Sequence, residues 1–181
     1  MTPTEILEHE HKVILVAIAG IEREVASIRQ TGHVDAAFVA KAIDFVRTFA
    51  DGCHHAKEEK HLFRALHERG MSFEQGPLAV MLADHERGRA SVRVVDEALP
   101  ATTAGDATAV TAVADGLSMY AQLLRDHIAK EDGVLYPMAN RLLSDADQTA
   151  LAAAFDKVET EETGAGVHEK YHALAHELGA H

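Results

Sequence analysis

Apolar residues recur along most of the chain at alternating intervals of three and four positions. The clearest case is the N-terminal stripe, whose members share one face of a helix: Leu7, His11, Ile14, Ile18, Ile21, Val25 and Ile28. Thr2, Pro3 and Glu5 precede most of this stripe in the order of an N-cap, a first-turn proline and the acidic partner of a capping box. The pattern predicts a helix that begins at Pro3 and ends near residues 30–32.

Three further long helical runs follow. The second covers about residues 35–68, the third opens at Gly76-Pro77 and ends at Pro100, and the fourth has Asp106 as its N-cap. Sustained three-four spacing on long helices with short connections is typical of an antiparallel bundle. We therefore predict an all-α protein with an up-down-up-down four-helix bundle over residues 1–143.

The C-terminal residues predict a short extension. A helix restarts at Ser144 and runs through Val158, a glycine-containing hinge occupies residues 164–166, and a last helix runs from His168 to Leu178. We expect residues 144–181 to form a two-helix extension packed on the bundle.

Composition limits the classes of partner. The 181 residues carry a net charge of −12, which disfavours nucleic acid and anionic membranes because both bind basic surfaces. The longest apolar run, residues 13–21, is too short to span a bilayer. The N-terminus has no basic segment followed by a cleavage site, and Cys53 is the sole cysteine. These features predict a cytoplasmic protein without an internal disulfide.

The chain contains thirteen histidines, and several interrupt the apolar stripes. His11, His85 and His127 occupy core positions on three different helices, and Glu131 follows His127 by one helical turn. A buried ionisable group is costly unless it is paired or binds a metal. Since facing core positions of a bundle converge, these side chains predict a metal site in its interior.

The second helical run repeats part of the fourth. The stretch that starts at His54 aligns without a gap with the stretch that starts at His127, so that Glu58 matches Glu131. Continuation of the upstream phenylalanine stripe instead turns His55 and Glu59 inward, unless a local irregularity near Gly52 shifts the register. We favour His54 and Glu58, and place His55 with the surface histidines.

This pattern gives six candidate ligands: His11, His54, Glu58, His85, His127 and Glu131. Six ligands are too many for one tetrahedral zinc and suit two metal ions bridged by two carboxylates.

The four blocks, in this order over about residues 5–143, resemble the hemerythrin-like (HHE cation-binding) domain family. The resemblance implies two non-haem iron ions, bridged by an oxo or hydroxo group and held by the same six residues, with Glu58 and Glu131 as bridging carboxylates. It also implies a protein that binds or senses O₂, NO or peroxide rather than an enzyme, with a peroxidase or catalase-like side activity as an option. The protein partner of such a sensor is not indicated.

One position departs from the oxygen carriers of that family. They have a second histidine four residues after the one on the third helix, where this chain has Arg89. One metal ion is therefore expected to have an extra open position. Asp132 stays an alternative to Glu131 as a bridge, and Tyr120 is a candidate donor near the site. Gly88 leaves space beside His85.

Other functions remain open at this point. A ferritin-like ferroxidase uses Glu-x-x-His pairs, and Glu8 with His11 and Glu58 with His61 match that spacing. A protein that uses its metal for stability alone is a further alternative.

The last helix carries His168-Glu169-x-x-His172, which matches a zinc protease motif. The apolar stripe of this helix marks its packing face, and both histidines are expected to lie beside that face or to point away from it. Alternatively, the helix folds over the bundle, and His168 or His172 supplies the missing iron ligand.

Overall fold

The computed structural model describes residues 1–164 and 166–181, and every regular element in this part of the chain is helical. The α-helices are α1 (Pro3–Thr31), α2 (Ala36–Phe45), α3 (Phe63–Glu68), α4 (Pro77–Thr102), α5 (Ala107–Lys130), α6 (Tyr136–Leu142), α7 (Asp145–Lys157) and α8 (Val167–Gly179). Four π-helical segments adjoin them: Val46–His55, Glu58–Leu62, Glu131–Leu135 and Val158–Gly164. None of the described helices has both the length and the apolarity needed to cross a membrane.

The helix starts follow the predicted capping. The Thr2 side chain accepts a hydrogen bond from the Glu5 amide, and the Glu5 carboxylate accepts one from the Thr2 amide, which completes the capping box of α1. Asp106 caps α5 in the predicted place. The α4 helix continues two residues beyond the expected end at Pro100, because a proline this close to the C-terminus interrupts only the last turn.

The predicted irregularity near Gly52 is present as a π-helical segment, Val46–His55. A π-turn closes hydrogen bonds over five residues instead of four, and so it rotates the following side chains relative to a regular α-helix. Two further segments of this kind, Glu58–Leu62 and Glu131–Leu135, each begin at a predicted ligand. Local helix geometry therefore changes where the candidate metal residues lie.

Two apolar clusters form the core, and the buried histidines lie between them along the helices. On α1, Leu7 belongs to one cluster and Ile14 to the other, with His11 between them. On α4, Met81 and Val92 flank His85 in the same way. The polar residues are thus enclosed by apolar layers on both sides, which limits the access of water.

The C-terminal helices α7 and α8 both pack against α1. The approach of α8 is close, since a Cβ atom added to Gly20 would lie 1.9 Å from the Leu178 carbonyl oxygen. Gly164 and Gly166 both have positive φ angles, which favour glycine. The predicted hinge at residues 164–166 also includes Ala165, which lies outside the described residues.

Candidate metal centre

The six predicted ligands lie in two neighbouring groups of side chains, each able to hold a metal ion. One group comprises His55, Glu58, His85 and His127, and the other comprises His11, His54 and Glu131. All seven residues are buried. The sequence prediction therefore selected residues that converge, and the structure adds His55 to them.

Short distances between imidazole nitrogens define each group. The Nε2 atoms of His11 and His54 are 3.0 Å apart, and the same distance separates the Nε2 atoms of His85 and His127. These ring nitrogens belong to four separate helical segments, so the packing of the helices brings them together. Convergence of imidazole nitrogens at this spacing is what a metal ion requires of its ligands.

Glu131 lies between the two groups. Its Oε1 atom is 3.2 Å from His127 Nε2, and its Oε2 atom is 3.3 Å from His11 Nε2. Glu58 also faces both groups, because its Oε2 atom is 3.4 Å from His85 Nε2 and 3.8 Å from His54 Nε2. Both carboxylates are therefore in position to contact two ions.

Several polar atoms at this point have no hydrogen-bond partner within the described structure. They are Nε2 of His55, Oε2 of Glu58 and both carboxylate oxygens of Glu131. A buried polar atom without a partner is costly. Bound cations would satisfy all four atoms at once, and so the residues present fit a metal centre.

Each histidine nitrogen that faces away from the groups meets a carboxylate. His11 Nδ1 donates to Asp132 at 2.7 Å, and His85 Nδ1 donates to Glu59 at 2.6 Å. Such hydrogen bonds fix the ring orientation and leave Nε2 free for a metal. Asp132 and Glu59, the two alternative carboxylates of the sequence analysis, thus contact candidate ligand histidines and belong to neither group.

A second pair of carboxylates supports the other two histidines. His54 Nδ1 donates to Glu10 at 2.9 Å, and His127 Nδ1 lies 3.5 Å from Asp84. The internal repeat of the sequence thus extends to the residues around the ligands, since Glu10 precedes His11 as Asp84 precedes His85.

A lysine side chain donates a hydrogen bond to each of these two carboxylates, Glu10 and Asp84. Lys57 is fully buried and donates to Glu10 and, at 2.5 Å, to Glu159. Lys130 donates to Asp84 in the equivalent place. Glu10, Glu159 and His168 also converge closely enough to hold a cation. However, the Lys57 ammonium already contacts both carboxylates there, so this third group is an ion-pair network.

The carboxylates around the centre favour the protonated, positively charged form of two of its histidines. Burial alone would lower the pKa of His11, but the nearby carboxylates of Asp132 and Glu131 raise it to about 10. Burial likewise opposes protonation of His85, and the nearby carboxylates of Glu58 and Glu59 raise that pKa to about 9. In the metal-free protein, protons on these rings offset the carboxylate charge that metal ions would otherwise neutralise.

His55 is the ligand candidate that sequence reasoning placed at the surface, and its exposed fraction is 6%. A regular α-helix turns neighbouring residues 100° apart, which made His54 and His55 alternatives. The π-helical segment lets both face inward, each toward a different group. The histidine doublet close to Gly52 was the available signal.

Tyr136 was also missed. Its hydroxyl donates to Glu58 Oε1 at 2.8 Å and lies 3.4 Å from His11 Nε2. Burial raises the pKa of the Tyr136 hydroxyl well above the ordinary tyrosine value, so the hydroxyl stays protonated and can donate a hydrogen bond. The repeat aligns Tyr136 with Phe63, and this difference in polarity was the signal.

The residues of the alternative motifs do not join the two main groups. Among the described side chains, neither Glu8 nor His61 of the ferroxidase pattern converges with the other candidate ligands. His168 faces Glu10 at 3.7 Å rather than a candidate ligand of either group, and the His172 ring lies tilted against His168 with the ring centroids 4.4 Å apart. No described group of potential ligands combines His168 with His172, as the protease motif would require.

The helical fold and the buried cluster of histidines and carboxylates define a cation-binding helical domain. Residues 2–139 match the family described as the hemerythrin HHE cation binding domain, and the chain belongs to this family. The chain is also 26% identical over 166 residues to uncharacterized proteins of Mycobacterium bovis and Mycobacterium tuberculosis. The aligned region covers 88% of this chain and 62% of each relative. No solved structure matches the chain significantly.

Proposed function

We propose that the protein holds two non-haem iron ions and binds or senses O₂ or a related small oxidant, NO or peroxide. The observation that carries this proposal is the position of Glu131, whose two oxygens face histidines of different groups at 3.2 and 3.3 Å. One carboxylate shared in this way is expected of a pair of ions and is unnecessary for one ion. The mixture of imidazole and carboxylate donors suits iron.

The two ions would have unequal surroundings. Three histidines belong to the group of His85, whereas two belong to the group of His11. The ion with fewer protein ligands would have an open position, and Tyr136 is the hydrogen-bonding side chain beside it. Iron at this place would supply the electrons and the vacant coordination position that binding of a small oxidant requires. The residues hold the ions, orient the rings and exclude bulk water.

The finer architecture belongs to the same proposal. Residues 1–143 would form an up-down-up-down four-helix bundle around the ions, with residues 144–181 as an extension. Contacts of α4 with α5 and of α1 with α5 support this arrangement. We also propose a cytoplasmic location, with no nucleic acid or membrane as partner, on the basis of charge and composition.

Metal analysis of protein purified without added metal tests the proposal. We expect two iron ions per chain in the wild type and a reduced iron content in Glu131→Gln. Glu161→Gln, which changes an exposed glutamate, is the matched control. One zinc ion per chain, or equal iron content in both variants, would contradict the proposal.

Titration with O₂ tests whether the proposed iron centre reacts with an oxidant. Anaerobic protein loaded with Fe(II) should develop near-ultraviolet and visible absorption when O₂ is added, and an unchanged spectrum would exclude O₂ as the oxidant. His61→Ala separates the ferroxidase alternative, because a ferroxidase needs His61 and the proposed centre does not.

A further inference from the structure

A cavity of about 210 Å³ opens beside the group that contains three histidines. It lies between the π-helical segment Val46–His55, α4 and α5, and its lining includes His55, His85 and His127. The function proposed above concerns the ions and a small oxidant, and it gives no role to a space of this size.

The cavity exists because α4 carries a glycine at a core position. The repeat aligns Leu7, His11 and Ile14 of α1 with Met81, His85 and Gly88 of α4. Ile14 is buried in the apolar core, whereas Gly88 lines the cavity. In one half of the repeat, an isoleucine side chain thus fills this position. In the other half, where Gly88 has no side chain, the position stays open.

No backbone requirement explains this glycine. Gly88 lies inside a regular helix and does not have a positive φ angle. A Cβ atom there would first meet the Tyr120 ring at 3.5 Å, an ordinary contact distance. Glycine lowers helix stability relative to alanine. What glycine provides at this position is therefore space.

The walls favour a neutral and largely apolar occupant. Val46, Val92 and Leu124 contribute apolar surface. Apart from Arg93, which is exposed, the charged side chains at the cavity are already paired; Arg89, for example, donates to Asp51 at 2.9 Å and to Glu59 at 2.7 Å. An ionic ligand would have to break these ion pairs, and a neutral one would not.

One buried polar group at the cavity lacks a partner. The Tyr120 side chain lines the cavity, is 3% exposed, and its hydroxyl has no hydrogen-bond partner within the described structure. Burial, with the nearby Asp51 charge, raises the pKa of Tyr120, so the hydroxyl keeps its proton. An apolar cavity of roughly 150 Å³ is enough to bind benzene, and so about 210 Å³ accommodates a slightly larger molecule.

We propose that this cavity is a binding site for a neutral, mostly apolar organic molecule about the size of phenol, whose oxygen accepts a hydrogen bond from Tyr120. The bound molecule would lie against the imidazoles of His55 and His85. The proposal does not require the metal ions.

Fluorine NMR titration of the protein as purified tests this site, with 4-fluorophenol and fluorobenzene as probes. We expect saturable binding of both, with 4-fluorophenol the tighter. Gly88→Ile should weaken both probes about tenfold or more, which corresponds to about 1.4 kcal/mol. Ala90→Ile places the same side chain at an exposed position of α4 and should leave both affinities unchanged.

Tyr120→Phe should remove the preference for 4-fluorophenol over fluorobenzene and keep the binding of fluorobenzene. If Gly88→Ile does not fold, Gly88→Ala should produce a smaller loss in the same direction. Absence of saturable binding to the wild type, or equal affinities in Gly88→Ile and Ala90→Ile, would overturn the site. Iron content, measured on the same samples, reports separately on the proposed function.

Discussion

His54 donates its Nδ1 proton to Glu10 across 2.9 Å, and both side chains are almost completely buried. The other oxygen of Glu10 accepts a hydrogen bond from Lys57, which also contacts Glu159 close to the C-terminal helices. His54 is therefore held by a chain of charged residues that ends outside the predicted bundle.

Replacement of Glu10 tests this support. In Glu10→Gln, the amide cannot hold the His54 ring and the Lys57 ammonium as a carboxylate does. We expect metal affinity to fall by about 10- to 100-fold, as measured by competition with a chelator. Glu24→Gln is the control, since Glu24 is an equally buried carboxylate of α1 that contacts Asp35 and His181 instead. Equal affinities in the two variants would contradict the role of Glu10.

Glu159 is expected to act mainly on stability. Glu159→Gln leaves the buried Lys57 with one carboxylate partner, and we expect a loss of about 1–3 kcal/mol in the free energy of unfolding. Urea denaturation of metal-free protein measures this loss. Glu161→Gln, a change at an exposed glutamate of the same segment, should be nearly neutral. A midpoint shared by both variants would show that Lys57 does not depend on Glu159.

The two adjacent histidines are predicted to serve different ions. His54→Ala removes a side chain from the group of His11 and Glu131, whereas His55→Ala removes one from the group of His85 and Glu58. Each variant should lower the affinity of the protein for one metal ion only. A metal titration of the wild type should show two tightly bound ions, whereas each variant should give a biphasic curve with one tight and one weak ion. His33→Ala, at an exposed position, should match the wild type. Unchanged metal binding in His55→Ala would remove His55 from the centre.

Tyr136 is expected to influence both the fold and the centre. Tyr136→Phe removes the hydrogen bond to Glu58 and leaves a buried carboxylate oxygen without its donor. We expect a loss of about 1–3 kcal/mol in metal-free stability and a changed absorption spectrum after iron loading. Tyr171→Phe removes a similar hydrogen bond to Asp44, and because neither residue belongs to the two groups, it should leave the spectrum unchanged. The prediction fails if both variants give the wild-type spectrum.

Metal uptake is expected to release protons. The pKa values of His11 and His85 are raised to about 10 and about 9, so both rings are protonated at neutral pH in the metal-free protein. A metal ion that takes Nε2 displaces one proton from each, and metal affinity should therefore rise as pH increases toward 9. A weakly buffered titration with a pH indicator measures the release. Asp132→Asn, which removes the carboxylate that raises the His11 pKa, should release fewer protons, and an affinity independent of pH would contradict the prediction.

The sequence predicted much of the helical fold and of the candidate site because both follow from local periodicity. Alternation of three and four positions identified the inward face of α1, and histidines on that face were conspicuous against isoleucines. The capping box at Thr2 and Glu5 needed no tertiary information, because its partners are three residues apart.

The residues that sequence reasoning missed depend on geometry that is not periodic. His55 joins the centre together with His54 because a π-helical segment lets both neighbours face inward, and such segments have no regular spacing to detect. Tyr136 contacts Glu58 across 78 positions of sequence, and its role follows from the packing of separate helical segments.

Sequence by itself determined the helical class, the types of the candidate ligands and six of the seven converging side chains, since residue identity and helical period are local properties. Tertiary structure decided which nitrogen faces which group, how Glu131 lies between both, and how Lys57 links Glu10 to Glu159. It also decided that the missing side chain of Gly88 leaves a cavity beside His85. These relationships depend on distances between segments far apart in the chain, and only the packing of the helices fixes those distances.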